Sequence, residues 1–473
     1  MTDIVNKLWG FCHVLRHDGM DYADYVEQIT YLLFLKMAEE KEINLPKGCN
    51  WNKIKENFGI QLTDQYENAL KKLGAESGIL GDIFSGSRSR FNNPVNLKRL
   101  INLIDETEWT SLDIDVKAQV YEGLLEKAAS EGKKGAGQYF TPRILIKSIV
   151  KVMQPDPLVD KEFTICDPAC GTGGFLVESY KWLVEKYGGV LPRQEIKRIR
   201  KNTYNGTELV PRPRRLALMN LFLHGIESSI YLGDSIYESE KGIKYNVVLT
   251  NPPFGTKGAN QAPERPDFMV RTSNKQLNFV QHLVTILKPG GRAAIVLPDN
   301  CLFAGEANRI FEYLFKDCNV HTLLRLPNGT FSPYSPGVKA NVLFFTKGKS
   351  TENIWIYDAR TGVPGITKKD RPLTPKHFED FENCFGPDPN AFSSIAQDYR
   401  ENISKNTKRF KKYSIDEIKK RNYNLDIVLT EKQDLDKIEY DEPEILLNSI
   451  KDSEMKIIEQ IDKILEIITD GDC

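Results

Sequence analysis

From about Phe163 onward, short β-rich runs alternate with helical runs, and this alternation constrains the fold more than any other feature of the chain. The run FTIC is followed by a glycine-rich turn and the helical FLVESYKWLVEKY. TYNGTEL is followed by PRPRRLALMNLFLHG, where Pro211 and Pro213 suit a helix start because a fixed φ and a missing N–H cost nothing there. KYNVVLT precedes NPPF; then come a helical QLNFVQHLVTIL, a KPGG turn and the strand RAAIVLP, with further strands at HTLLRLP and KANVLFFTKG. Strands separated by helices of this length predict a doubly wound α/β domain with a largely parallel sheet. Such sheets bind ligands beyond the carboxyl ends of their strands, and that is where the motifs of this chain fall.

The flanks read differently. Residues from Val5 to about Ala128 are helical in pattern: Val26, Ile29, Leu32, Leu33 and Met37 recur at three- and four-residue spacings and form one apolar face. A second helical run, DIDVKAQVYEGLLEKAASEG, ends at Gly132. Beyond Pro443, Leu447, Ile450, Glu454, Ile457, Ile461, Ile464 and Ile468 trace a heptad seam with one polar interruption, which calls for a partner helix in this chain or in another subunit. The expected division is therefore an N-terminal helical domain over residues 1–131, a catalytic domain over 132–429 and a C-terminal helical tail over 430–473.

Composition narrows the function. No stretch approaches the roughly 20 apolar residues of a membrane span, and the first residues lack the basic-then-apolar pattern of a signal peptide. Eight cysteines without a CxxC pair predict a reducing cytoplasm, no disulfide framework and no metal. With 64 basic against 65 acidic side chains the formal net charge is −1. Phosphate neutralisation supplies most of a freestanding DNA binder's affinity, so any DNA contact here needs a local basic surface or a partner's grip.

Four motifs carry chemistry. Asp167-Pro168-Ala169-Cys170-Gly171-Thr172-Gly173-Gly174-Phe175 follows the strand FTIC directly. Its glycines let a ligand approach the backbone, and the carboxylate at the strand end accepts hydrogen bonds from it. Neither GxGxxG nor a phosphate loop ending in Gly-Lys-Ser/Thr is present, which fits a ligand without phosphates. Glu208 ends the next strand, where a carboxylate can take both hydroxyls of a ribose, and Asp234 in GDSI is placed to hold an adenine amino group. Asn251-Pro252-Pro253-Phe254 follows the apolar strand VVLT. An amino group on a heterocycle is a poor nucleophile because its lone pair is delocalised into the ring. Two acceptors aimed at its hydrogens, the Asn251 side-chain carbonyl and the Pro252 backbone carbonyl, localise that pair on nitrogen. The prolines hold the geometry, and Phe254 offers a stacking face for a flipped base. The fourth motif, Gly137-Gln138-Tyr139-Phe140-Thr141-Pro142-Arg143, joins the helical region to the sheet, with Thr141 expected to cap the helix that begins at Pro142.

DPACGTGGFL resembles the S-adenosylmethionine loop of DNA amino-methyltransferases. In order, GQYFTPR, DPACGTGGFL, GTEL, GDSI and NPPF resemble the γ-type arrangement of the N6-adenine DNA methyltransferases. With the helical domain before and the helical tail after, the chain is similar to the modification (M) subunit of type I restriction–modification systems. FCHVLRHDGMDYADYVEQITYLLFLKMAEE resembles the family's amino-terminal domain, and RNYNLDI a segment near its carboxyl end. The resemblance implies a Rossmann-like S-adenosylmethionine-dependent methyltransferase fold. It implies cofactor contacts from Gln138, Tyr139, Phe140, Thr141, Asp167, Pro168, Gly171, Thr172, Gly173, Gly174, Phe175, Glu208, Asp234 and Asn251, and catalysis by Asn251, Pro252, Pro253 and Phe254. It implies double-stranded DNA as substrate and a separate specificity (S) subunit, two M to one S, that reads the target. A restriction (R) subunit can join for cleavage. No membrane is involved.

The reaction expected is direct in-line transfer to N6 of a flipped adenine. Cytosine C5 methylation needs a nucleophilic cysteine, usually after proline, and the chain has no Pro-Cys dipeptide; Cys166 and Cys170 are expected to be packing residues. Cytosine N4 methylation, whose motif more often begins with serine, glutamine methylation of a protein factor, and a cofactor-binding scaffold without activity are the competing readings.

Overall fold

The computed structural model describes residues 2–17, 19–40, 42–109, 141–227, 230–238, 242–254, 261–303, 305–331, 337–367, 370–389 and 394–429, together with seven tail positions between Leu447 and Ile461. The described residues divide into a compact unit through Ile427 and a second from Val428 to Cys473.

Among the described residues of the first unit, nine strands form one sheet: β1 (Ile165–Asp167), β2 (Tyr204–Glu208), β3 (Ile230–Leu232), β4 (Tyr245–Thr250), β5 (Leu287–Pro298), β6 (Cys318–Arg325), β7 (Ala340–Lys347), β8 (Asn353–Asp358) and β9 (Phe410–Ser414). Their order across the sheet is β3-β2-β1-β4-β5-β7-β6-β8-β9. The five strands from β3 to β5 are mutually parallel; β7 enters antiparallel between β5 and β6, β8 runs parallel to β6, and β9 closes the edge antiparallel. The chain leaves β1 toward β2 and β3 and returns to β4 on the other side of β1. The order reverses between β1 and β4, so their carboxyl ends diverge into a crevice. Every residue of β6 is buried, as are all but the last of β7, the pattern of strands covered on both faces.

Two details differ from the sequence reading. KPGG is not a turn before a strand but an outward loop within β5: Leu287 pairs with Tyr245 and Arg292 with Val247. Gly290 has φ +75°, and a Cβ on Gly291 would lie 2.8 Å from the Lys288 carbonyl oxygen, so only glycines allow the excursion. The chain also continues into β8 and β9, which the motif pattern did not mark.

The amino-terminal residues form helices at Thr2–His17, Tyr22–Glu40, Gly59–Gly74 and Pro94–Asp105, with shorter helices between them. Val26, Ile29, Leu32, Leu33 and Met37 are all buried, as their spacing predicted. The run expected at 113–132 lies outside the described residues. This helical region shares a continuous apolar core with the sheet region. Its seat is the helix Pro211–Leu223: Phe34 packs on Phe222 with centroids 4.8 Å apart, and each arginine of PRPRR meets an acid of the helical region. Arg212 pairs with Asp24 at 2.9 Å, Arg214 with Asp82 at 2.9 Å, and Arg215 with the buried Glu27. Both partners of the last pair are nearly dry, a setting in which removing one leaves a buried charge at a cost of about 3–5 kcal/mol.

RNYNLDI closes over the carboxyl end of the sheet: Arg325 at the end of β6 donates to Asp426 (2.5 Å) and to the Ile427 carbonyl, and Leu425 N–H donates to Leu302 O (3.0 Å). No helix among the described residues is long and apolar enough to cross a membrane. In the second unit Leu447, Glu454 and Ile461 of the seam are helical and exposed. Ile450, Ile457, Ile464 and Ile468 lie outside the described residues.

Candidate functional site

The glycine turn after β1 is shaped by its own backbone. Cys170 N–H donates to Thr207 O (3.0 Å) and Gly173 N–H to Cys170 O (2.8 Å), while the buried Asn220 donates from Nδ2 to Thr172 O (3.0 Å). Gly171 and Gly173 take φ of +54° and +78°, and Gly173 hands the chain to the helix Gly174–Lys186. A side chain at Gly173 would be strained by its φ, and one at Gly174 would press on Ile146 Cδ1 at 2.9 Å.

Two carboxyls lie under this turn. Asp167 ends β1; its Oδ1 accepts from Thr250 Oγ1 (2.7 Å) and Ala169 N–H (3.1 Å). Burial pushes it up to about 7, and the nearby Glu208 adds to the shift. Glu208 ends β2; Oε2 accepts from Gly171 N–H and Oε1 from Val210 N–H, both at 2.9 Å, and burial raises it as well. Each oxygen retains a second lone pair, so Glu208 can grip the turn and still take a ligand's hydroxyls. Asp234 follows β3; its Oδ1 accepts from Ile236 N–H (2.8 Å) and Tyr237 N–H (3.1 Å), which fixes the carboxylate at the crevice wall. Ser235 Oγ ties this wall to Pro168 O at 2.6 Å.

NPPF leaves β4 beside the turn. Asn251 donates from Nδ2 to Thr141 Oγ1 at 2.9 Å, and its Oδ1 is buried without a hydrogen-bond partner among the described residues. Thr141 therefore does not cap a helix: the helix runs Arg143–Met153 with Pro142 at its cap position and no side-chain cap bond, because the threonine hydroxyl faces Asn251 instead. Gln276, buried near the start of the helix Lys275–Ile286, donates to Pro253 O at 2.6 Å. Phe254 stands edge-to-face against the buried Phe331, with centroids 5.3 Å apart and planes at 85°.

Thr141, Asp167, Pro168, Gly171, Thr172, Gly174, Phe175, Glu208, Asp234, Asn251 and Pro253 line one cleft. Gly173 shapes it from behind, and Pro252 and Phe254 follow Asn251 without lining it. Gln138, Tyr139 and Phe140 lie outside the described residues. The sequence reading missed Leu209, Ile236 and Phe279, which supply apolar cleft surface; it marked Arg143 in the fourth motif without a role, and its Nη1 holds Gly174 O at 3.1 Å. Adjacency to Glu208 and Asp234 was the available signal for Leu209 and Ile236; Phe279 carried none. Burial pushes the thiols of Cys166 and Cys170 well up, so neither is a ready nucleophile.

A nucleoside joined to an amino acid matches this donor and acceptor set. Carboxylates lie at the β2 and β3 ends with apolar surface beside them, bare glycine backbone lies in the middle, and the unpartnered Asn251 carbonyl lies at the far end. The residues fit S-adenosylmethionine.

The same assignment follows from comparison with known proteins. The sequence profile of the N-6 DNA methylases matches residues 112–437, and that of the HsdM N-terminal domain matches residues 4–44. The StySPI type I restriction enzyme methylase subunit of Salmonella potsdam is 36% identical over 100% of this chain and 96% of its own length. The EcoKI methylase subunit of Escherichia coli K12 is 35% identical over 98% and 95%. Among solved structures, the EcoKI M protein matches with a TM-score of 0.55 at 32% identity, over 98% of this chain and 96% of that one. A chain from a structure of type I R-M system assembly and conformational transition matches with a TM-score of 0.76 at 26% identity, over 99% and 98%. The chain belongs to the N-6 DNA methylases, and within them to the methylase subunits of type I restriction enzymes.

Proposed function

We infer that this chain transfers a methyl group from S-adenosylmethionine to N6 of an adenine flipped out of double-stranded DNA. The observation that carries the reading is the Asn251 carbonyl: a buried acceptor without a partner, in the same cleft as Glu208, Asp167 and the glycine turn. A buried polar atom of this kind costs about 1–3 kcal/mol unless a ligand satisfies it, and an exocyclic amino group is the matching donor. S-adenosylmethionine supplies an electrophilic methyl on its sulfonium.

The chain's own residues do the rest. Glu208 takes the ribose hydroxyls and Asp234 the adenine amino group of the donor, with Leu209 and Ile236 as apolar surface beside them. The glycine turn gives way to the backbone of the ligand. Asn251 Oδ1 and the Pro252 carbonyl accept the two hydrogens of the target amine, which localises its lone pair on nitrogen for in-line attack. Phe254, propped by Phe331, is the stacking face for the base.

Thr141 has a role beyond contact. An asparagine amide turned by 180° would offer a donor where an acceptor is needed; here the Thr141 hydroxyl accepts from Nδ2 and anchors the amide with Oδ1 toward the cleft. Thr141→Val should lower kcat about tenfold while the dissociation constant for the methyl donor stays within twofold, and Thr141→Ser should restore the rate. Unchanged kcat in Thr141→Val would remove the role.

The catalytic segment is 132–429, flanked by the helical segment 1–131 and the tail 430–473. Target choice belongs to an S subunit bound by two copies of this chain, and an R subunit joins the same assembly for cleavage. The near-zero net charge fits a subunit whose grip on DNA is shared. The substrates are intracellular, and Cys12, Cys49, Cys166, Cys170, Cys301, Cys318 and Cys384 are buried thiols outside any disulfide, which accords with the cytoplasm. The tail packs its apolar seam on S-subunit helices. Deletion of residues 443–473 should weaken association with a co-expressed S subunit, read by co-purification and light scattering; intact complexes would overturn that role.

The assembled complex, given target DNA and donor with a labelled methyl group, should yield N6-methyladenine on digestion to nucleosides. Label in N4-methylcytosine would change the substrate, and label in protein glutamine would change the class.

A further inference from the structure

A cavity of about 460 Å³ opens at the amino ends of β6 and β8, the opposite end of the sheet from the methyl-transfer cleft. Asn319, His321, Asn353, Gln397 and Arg400 line it. The exposed side chains at its mouth are mixed in sign: Lys349 and Lys412 against Glu352 and Glu401, with Lys412 and Glu401 paired to each other.

The interior is not balanced in the same way. Arg400 is 2% exposed. Its Nε donates to Phe385 O and its Nη1 to Thr322 Oγ1, each at 3.0 Å, and the guanidinium packs on the Phe385 ring. Its Nη2 is buried with no partner among the described residues. A second guanidinium, Arg292, is in the same state: Nη2 reaches Gln154 O at 3.4 Å and Nη1 has no partner. Strand register joins the two regions, because Arg292 pairs with Thr346 and Thr346 with Asn319, so the three side chains share a sheet face. Thr346 Oγ1 is a third buried polar atom without a partner. The carboxylate of Asp388 acts on both arginines. Among the described residues Asp388 is the one carboxylate acting on both buried guanidiniums, which leaves a positive excess behind the mouth, and burial together with both cations holds His321 neutral. Water would satisfy the spare N–H groups but not the charge.

We propose that this cavity is a binding site for a small tetrahedral oxyanion of the sulfate or phosphate class, held by Arg400 Nη2 and the Asn319 amide in the field of Arg292. The anion neutralises the excess charge and locks the helix Ser394–Ser404, which carries Arg400, to the start of β6. The site is independent of methyl transfer, so its failure leaves the reading of the cleft untouched.

The test uses the full chain. Crystals soaked in sodium selenate should show an anomalous peak within hydrogen-bond distance of Arg400 Nη2. In solution, sulfate should raise the melting temperature saturably by about 2 °C over chloride at equal ionic strength, and Arg400→Gln should abolish the saturable part. Water alone in the cavity of selenate-soaked wild-type crystals overturns the proposal, as does an equal sulfate response in Arg400→Gln. Should Arg400→Gln fail to fold, Asn319→Leu takes its place in solution and the wild-type crystal remains decisive.

Discussion

Replacing Asn251 with alanine should reduce methyl transfer by about 10²–10³-fold or more while leaving the methyl donor bound with nearly its wild-type dissociation constant. The magnitude follows from what the carbonyl does. It is an acceptor fixed before the reaction and aimed at charge that develops only as the amine attacks, and removing one such preorganised group costs about 2.7–4 kcal/mol of barrier. Its orientation is held from outside the motif by Thr141, and the peptide carbonyl of Pro253 is held by Gln276. The loss should therefore fall on kcat. Single-turnover rates with the complete complex, together with calorimetry for the donor, measure the two quantities separately. An active Asn251→Ala variant would remove Asn251 from the chemistry.

Glu208→Gln should show the opposite split. The carboxylate accepts N–H groups from Gly171 and Val210 and retains lone pairs for a ligand's hydroxyls. An amide supplies one acceptor oxygen in place of two and turns an N–H₂ toward one of those donors. Hydrogen bonds to a charged acceptor are worth about 1.5–3 kcal/mol, so donor affinity should fall about 10–100-fold, with kcat at saturating donor changed much less. The backbone N–H left facing the amide's N–H₂ loses its acceptor, so the melting temperature should fall modestly. Tight donor binding by Glu208→Gln would take the ribose role away from this residue. The two variants also check each other, since a general loss of folding would move both quantities in both proteins.

Much of this site is legible in the sequence. A glycine-rich turn after a buried strand, an acid at the next strand end and a rigid NPPF turn after another strand each sit where a doubly wound sheet places its ligands, and the structure gathers them into one cleft. What escaped was every relationship between residues distant in sequence. Gln276 is an ordinary polar residue in a helical run, and nothing local announces that it holds Pro253. Thr141 before a proline reads as a cap, and only the crossing of two distant segments turns its hydroxyl toward Asn251. Nothing local in PRPRR announces that its three arginines meet Asp24, Asp82 and Glu27.

The sequence alone determined the alternation of strands and helices, the buried face of the amino-terminal helices and the class of chemistry at the strand ends. Each of these is set by local residue type and period: apolar spacing selects the element, and glycine and proline set the turns. Tertiary structure alone decided the insertion of β7 against the direction of its neighbours, the looping of KPGG out of β5, and the fastening of the helical region to the sheet. It also decided which face of the Asn251 amide points into the cleft. These depend on pairing register and on side chains brought together from more than 100 residues apart, and no local pattern encodes such contacts.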